Sequence, residues 1–144
     1  MERERREVYF DNSATTQVFD CVRDVMVKTL TEDYGNTAAR HIKGVEAQHY
    51  IKEAREEIAK SLRVKEKEIV FTSGGTESNN MALIGTALAS RRAGNHLITT
   101  CIEHASIYNT MSFLEEQGFR VTYLPVDHNG IVSPDALREA ICDE

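Results

Sequence analysis

Residues 69–81 read Ile-Val-Phe-Thr-Ser-Gly-Gly-Thr-Glu-Ser-Asn-Asn-Met. The first three residues are β-branched or aromatic and predict a buried strand, whereas the apolar spacing from Met81 to Leu88 predicts a helix. Gly74 and Gly75 then lie in the turn, where glycine lets a backbone bend sharply and approach a ligand. Because the first N–H groups of a helix have no intrahelical partner, such a turn binds anions. The stretch predicts a phosphate site; the alternative is a plain strand-to-helix connection with Thr76 as the helix N-cap.

The residues that this turn lacks limit the kinds of phosphate ligand it could bind. A P-loop needs Gly-Lys-Ser/Thr, and here Glu77 stands where a cation would be wanted. The Gly-x-Gly-x-x-Gly pattern of dinucleotide folds is also missing. A single phosphate monoester, held by backbone N–H groups and by the hydroxyls of Thr76 and Ser78, fits this composition best.

Composition limits the class of protein. The chain has 144 residues and a net charge of -6, with no basic stripe, which argues against nucleic-acid binding. No apolar run reaches membrane-spanning length, and the charged N-terminus lacks the apolar core of a signal peptide. We therefore expect a cytoplasmic protein without membrane contact. Its three cysteines are odd in number and widely spaced, which favours reduced thiols, with Cys21 and Cys142 as packing residues in helices.

Hydrophobic periodicity gives the order of elements. A helix from Val18 to Leu30 precedes a polar loop at residues 34–44, and a second amphipathic helix runs from about Val45 to Leu62. The apolar face of the first helix comprises Val18, Val22, Val25, Met26 and Leu30, and that of the second comprises Ala47, Tyr50, Ile51, Ala54, Ile58 and Leu62. Strands and helices then alternate: strand 69–72, helix 77–91, strand 97–100, helix 106–117, strand 120–124 and a helix from Asp135. This alternation predicts an α/β fold with a mainly parallel sheet and flanking helices.

A second candidate site follows the strand at residues 97–100, since open parallel sheets bind ligands at the carboxyl ends of their strands. Cys101 and His104 have a spacing that a metal pair could use, but no second pair stands nearby, so we expect no metal. His104 is placed to lay its imidazole against a ring or to handle a proton. The alternative is that His104 only caps the following helix.

Four motifs occur in order over nearly the whole chain. They are Tyr9-Phe10-Asp11-Asn12-Ser13-Ala14-Thr15-Thr16; Tyr34-Gly35-Asn36 with Arg40-His41 and Gly44; Glu68 to Asn79; and Glu103-His104. The turn from Pro125 to Gly130 fits as well. Together they resemble the amino-terminal part of the cysteine desulfurases of the NifS/IscS type, pyridoxal-phosphate enzymes of the class V aminotransferase group. Thr37 departs from the proline that usually follows Gly-Asn in that family.

The resemblance implies the amino-terminal portion of a fold type I pyridoxal-phosphate transferase domain. It places the cofactor phosphate at Gly75 and Thr76 and stacks His104, the implied catalytic residue, on the pyridine ring. Ala14, Thr15 and Asn36 are implied, more weakly, to border the substrate. Residues 1–45 would then form the segment and helix beside the active site, and residues 46–144 a partial cofactor-binding α/β domain.

The activity implied by the resemblance is removal of sulfur from L-cysteine to give alanine and an enzyme persulfide for iron–sulfur cluster or thio-cofactor assembly. The family's cofactor-binding lysine and sulfur-carrying cysteine match no residue here, so we expect the chain alone to be inactive. It would be a truncation, one half of a split enzyme with a complementary carboxy-terminal chain, or a noncatalytic remnant. Expected partners are a second copy, as in the family's homodimers, and an iron–sulfur scaffold or other sulfur acceptor. The alternatives are a noncatalytic α/β module that binds a phosphate compound or partner chain, and another class V enzyme such as a selenocysteine lyase.

Overall fold

The computed structural model describes residues 7–142, which divide into two compact units at Val70 and Phe71. The first unit contains helices α1 (Asp20–Thr31) and α2 (Ile42–Leu62) and a 3₁₀ turn (Glu66–Glu68). The second contains α3 (Gly75–Ser90), β1 (His96–Thr100), α4 (Ala105–Glu116), β2 (Arg120–Leu124) and α5 (Pro134–Ala140). No helix within residues 7–142 combines the length and apolar character needed to cross a membrane.

A half-buried carboxylate joins the two helices of the first unit. Asp33, just after α1, accepts a hydrogen bond of 2.6 Å from the Tyr50 hydroxyl of α2. Lys28 lies 3.3 Å from the same carboxylate, and Lys43 donates to the backbone oxygen of Glu32. The Tyr50 hydrogen bond is the main cause, ahead of the two lysines, of a lowered pKa of Asp33. The end of α1 is thus held to α2 by polar contacts.

The predicted apolar faces of the first unit are mostly exposed, contrary to expectation. α1 has no buried residue, and on α2 only Ala47 of the predicted face is buried, with Tyr50 half-buried. The other members of that face, Ile51, Ala54, Ile58 and Leu62, are exposed. Periodicity indicates which face a helix can bury, whereas burial itself needs a packing partner, and the described residues of this unit supply none for these faces.

Loop 34–44 is closed by two glycines in backbone contact with their neighbours. A Cβ at Gly35 would lie 1.8 Å from the carbonyl oxygen of Lys43, and one at Gly44 would lie 2.2 Å from that of Ala39. Only a residue without a side chain fits at either position. The glycines at the two ends of this loop are therefore packing residues.

The second unit is a parallel β-α-β arrangement with α3 packed on α4. β1 and β2 pair in parallel from His96↔Arg120 to Thr100↔Leu124, and α4 connects them. The core contains Ala87, Met111, Leu114 and Phe119, with Leu114 fully buried. Packing around these side chains fixes α3 and α4 relative to the sheet, and so places the residues at their amino-terminal ends.

The predicted α/β class and parallel pairing are confirmed, whereas the strand predicted at residues 69–72 is wrong. Ile69 has extended backbone angles, but residues 69–72 belong to neither strand of the sheet that the structure describes within residues 7–142. A strand requires ladder hydrogen bonds as well as suitable residues. The strand at 120–124 is as predicted, and the later helices differ from expectation by one or two residues.

The boundary expected between residues 45 and 46 falls inside α2, while the compact units divide at Val70. That residues 1–45 border the active site and residues 46–144 bind the cofactor stays a prediction. Cys21 and Cys142 are exposed, so their expected packing role is wrong; Cys142 lies beyond α5, 3.2 Å from the His96 ring.

Candidate functional site

The turn before α3 is organised by its own polar side chains. Glu77 accepts hydrogen bonds of 2.6 Å from both the backbone N–H and the hydroxyl of Ser73. These two bonds lower the pKa of Glu77, the hydroxyl contributing more than the backbone N–H. The Thr72 hydroxyl donates to the Gly74 carbonyl oxygen and lies 2.7 Å from the Ser78 hydroxyl. Ser73 and Ser78 are therefore engaged within the turn, while contact between the Ser78 hydroxyl and a ligand stays a prediction.

The first turn of α3 keeps unused donors. The N-cap is Gly74, so the alternative in which Thr76 caps the helix is wrong; Thr76 is the second helical residue. The first backbone bond of the helix runs from Ser78 N–H to the Gly74 carbonyl oxygen, which leaves the preceding N–H groups of the helix without an intrahelical acceptor. The hydroxyl of Thr76 also has no hydrogen-bond partner among the described residues.

Gly75 faces open space. A Cβ built there would meet no atom within 4 Å, and the residue begins the helix with ordinary helical backbone. Alanine would not strain the backbone here, because no positive φ requires glycine at this position. What glycine provides here is open space beside the first turn of the helix.

His104 is the N-cap of α4. Its Nδ1 accepts the backbone N–H of Ser106 at 3.1 Å and lies 2.9 Å from the hydroxyl of the same serine. Thr100, at the end of β1, donates at 2.7 Å to the Glu103 carboxylate, which holds the chain just before the histidine. Nε2 has no hydrogen-bond partner among the described residues. His104 therefore does cap α4, which leaves Nε2 available; whether the imidazole also contacts a ring stays a prediction.

The structure connects the two predicted parts of the site. Asn79 lies one turn after Gly75 on α3, and its amide Nδ2 donates at 2.9 Å to the hydroxyl of Ser106. Ser106 in turn contacts His104. Gly75, Thr76 and His104 thus belong to one neighbourhood of the second unit. Sequence reasoning did not assign a role to Asn79 or Ser106; a serine two residues after a capping histidine was the available signal.

The candidates for the substrate side belong to the first unit. Ala14 and Thr15 donate backbone N–H groups to the Asp11 carbonyl oxygen in a turn, and Thr15 lines a cavity of about 560 Å³ with Tyr9 and Asn12. Asn36 accepts the backbone N–H of Ala38 at 2.9 Å. Their contact with substrate stays a prediction.

No group of three or more potential metal ligands comes together within residues 7–142. Cys101 is exposed and its backbone N–H bonds to the carbonyl oxygen of Leu124, which extends the pairing of β1 with β2. The structure therefore assigns Cys101 a backbone role at the end of the sheet.

Comparison with known proteins identifies close relatives. The chain is 50% identical over 141 residues to cysteine desulfurase IscS of Methanosarcina thermophila, an alignment that covers 98% of this chain and 35% of the relative. It is similar to the solved structure of a NifS-like protein, with a TM-score of 0.86, 42% identity, and coverage of 94% of this chain and 37% of the other. SspA in complex with cysteine gives a TM-score of 0.83 at 42% identity, covering 93% and 39% of the two chains.

The chain thus spans about a third of the length of the curated relatives that it matches. The family model for class-V aminotransferases matches residues 8–144, which is nearly the whole sequence. The chain belongs to the class-V aminotransferase family.

Proposed function

We propose that this chain provides the phosphate-binding turn and the ring-facing histidine of a pyridoxal-phosphate-dependent cysteine desulfurase. The observation that carries the proposal is the open start of α3 at Gly75 and Thr76, joined through Asn79 and Ser106 to His104. Relatives named cysteine desulfurase, and a neighbour solved with cysteine, support this reaction and this substrate.

The residues present fit a phosphate monoester. The beginning of α3 offers backbone N–H groups, the Thr76 hydroxyl and a helix dipole, with no side chain at Gly75 to block approach. The Glu77 carboxylate accepts both of its hydrogen bonds described above from Ser73, so this side chain is engaged within the turn. The backbone N–H groups at the start of α3 and the Thr76 hydroxyl, all neutral donors, would hold the phosphate.

His104 would bind the ring and handle a proton. Its Nδ1 is occupied by the helix cap, which fixes the imidazole relative to α4 and leaves Nε2 as the atom that can hold or give a proton. When bound, pyridoxal phosphate supplies an electron sink for bond cleavage at the substrate amino acid. The chain's own contribution is to anchor, orient and exchange a proton at Nε2.

The further parts of the proposal follow from the family. Residues 1–45 would border the active site, with Ala14, Thr15 and Asn36 toward L-cysteine, and residues 46–144 would bind the cofactor. The enzyme would work in the cytoplasm as a homodimer and pass sulfur to an iron–sulfur scaffold or other acceptor. The cofactor-binding lysine and the sulfur-carrying cysteine are assigned to no residue of this chain.

The test joins this chain to the remaining portion of the Methanosarcina thermophila relative, in place of the matching segment. We expect the chimera to retain pyridoxal phosphate with its visible absorbance and to release alanine from L-cysteine in the presence of a thiol reductant. His104→Asn should change the absorbance and lower turnover at least about a hundredfold, since a positioned proton-handling group typically contributes about 10²–10⁴-fold. Because asparagine is itself a good N-cap, thermal stability should change little.

His49→Asn is the matched control, since His49 lies exposed on α2 and should be replaceable without effect. A folded chimera that binds no pyridoxal phosphate would contradict the proposal and favour a noncatalytic module. Retained cofactor with selenocysteine as the preferred substrate would favour a selenocysteine lyase.

A further inference from the structure

The hydrogen bonds around His104 form a chain in which each donor can be assigned, from Asn79 on α3 through Ser106 to the imidazole ring. The Ser106 backbone N–H points to Nδ1, so Nδ1 acts as an acceptor and carries no proton in this arrangement. The Ser106 hydroxyl, 2.9 Å from the same nitrogen, then donates its proton to it. This leaves the hydroxyl oxygen free to accept, and Asn79 Nδ2 donates to it at 2.9 Å.

We propose that Asn79 and Ser106 are positioning residues that hold His104 as the Nε2–H tautomer. The tautomer of His104 does not depend on the proposed function; only the idea that this ring contacts a cofactor does. Asn79 sets the orientation of the Ser106 hydroxyl, and the hydroxyl together with the Ser106 N–H keeps the Nδ1 lone pair engaged. The proton of the neutral ring must therefore reside on Nε2, the nitrogen without a protein partner.

Burial protects the two residues that form this chain to the histidine. Ser106 is 9% exposed and Asn79 is half-buried, whereas His104 itself is exposed, so bulk water competes weakly for Asn79 and Ser106 and still reaches the ring. Asn79 belongs to the same helix whose first turn carries Gly75 and Thr76. The helix that would hold the phosphate therefore also sets which nitrogen of the histidine carries the proton.

The neighbouring pair Asn80 and Thr110 offers a matched control. The Thr110 hydroxyl contacts the Asn80 amide oxygen and lies 2.8 Å from the Ser106 carbonyl oxygen, which links α3 to α4 without contact to His104 or to the Ser106 hydroxyl. Asn80→Ala thus removes a bond between the same two helices and leaves the proposed relay intact.

The experiment is long-range ¹H–¹⁵N NMR of the histidine rings in the full, cofactor-free chain at alkaline pH, where imidazoles are neutral. A His104→Gln spectrum assigns the signal. The unaltered chain should show His104 in the Nε2–H form. Asn79→Asp places a carboxylate where an amide donated, so the Ser106 hydroxyl should turn toward it and become an acceptor for an Nδ1–H.

We expect Asn79→Asp to shift the tautomer ratio about fivefold toward Nδ1–H, which corresponds to one hydrogen bond of ordinary net strength. Asn79→Ala should shift the ratio less, since it frees the hydroxyl without attracting it. Asn80→Ala should leave the ratio unchanged, even where it lowers the melting temperature.

An Nδ1–H form in the unaltered chain, or equal shifts in the Asn79 and Asn80 variants, would overturn the inference. The measurement separates it from the proposed function because no cofactor is present. If the ratio responds as expected while the chimera binds no pyridoxal phosphate, the positioning role stands and the proposed function fails. If the chimera binds pyridoxal phosphate and releases alanine while the His104 tautomer ratio is unchanged in the Asn79 variants, only the positioning role is contradicted.

Discussion

Loop 34–44 and the turn at residues 73–76 both depend on glycine, but their surroundings are opposite. At Gly35 and Gly44 a Cβ would lie within about 2 Å of a backbone oxygen, whereas at Gly74 and Gly75 it would meet nothing within 4 Å. The first pair therefore allows the chain to pack against itself. The second pair leaves space at the beginning of a helix whose N–H groups are unused. Glycine near a predicted site is thus of two kinds, which only the surrounding atoms distinguish.

The largest expected effect is in the closed loop. Gly44→Ala should lower the free energy of unfolding by about 3 kcal/mol, because its Cβ would overlap the Ala39 carbonyl oxygen and backbone must move. Urea denaturation of the chain, followed by circular dichroism, measures this loss. Gly35→Ala should behave similarly, since its Cβ would overlap the Lys43 carbonyl oxygen. Unchanged stability in both variants would show that the loop is not closed in the way described.

The difference between loop 34–44 and the turn at residues 73–76 shows what could not be predicted from the sequence alone. The sequence identified both glycine segments, His104 and the parallel pairing of residues 97–100 with 120–124, because residue type and periodicity are local properties. It could not separate glycines packed against backbone oxygens from glycines that face open space. That difference depends on carbonyl oxygens several residues away.

Two other failures have the same cause. The strand predicted at residues 69–72 depends on a neighbouring strand, and the apolar face of α1 depends on a layer to cover it. Asn79 and Ser106 are 27 positions apart, so their hydrogen bond follows only from the packing of α3 on α4.

A smaller effect is expected at the carboxylate that organises the open turn. The pKa of Glu77 is lowered from its ordinary value of 4.5 by hydrogen bonds from Ser73. Its stabilising contribution is therefore fully present above pH 4.5 and is lost as the pH falls through the lowered value. Glu77→Gln should make the melting temperature fall less steeply with acid in that window.

Glu116→Gln, at the exposed end of α4, controls for the loss of one negative charge. Melting temperatures measured between neutral pH and about pH 3 cover the range in which carboxylates protonate. Equal acid slopes for the Glu77 variant and the unaltered chain would contradict the role of Glu77 in the turn.

The smallest effect on stability should come from Gly75→Ala, and it tests the central claim most directly. A matched variant is Gly85→Ala in the middle of α3, where a Cβ also meets nothing within 4 Å. Gly85→Ala should stabilise the chain by about 0.5–1 kcal/mol through helix propensity, and Gly75→Ala by no more than that. Only the methyl group that Gly75→Ala adds would lie at the proposed phosphate site.

The deciding measurement is the dissociation constant of pyridoxal phosphate from the chimera carrying each alanine variant. We predict at least a tenfold weakening for Gly75→Ala, the factor that corresponds to about 1.4 kcal/mol, and no change for Gly85→Ala. Unchanged affinity in both folded variants would contradict the assignment of the α3 turn as the phosphate site.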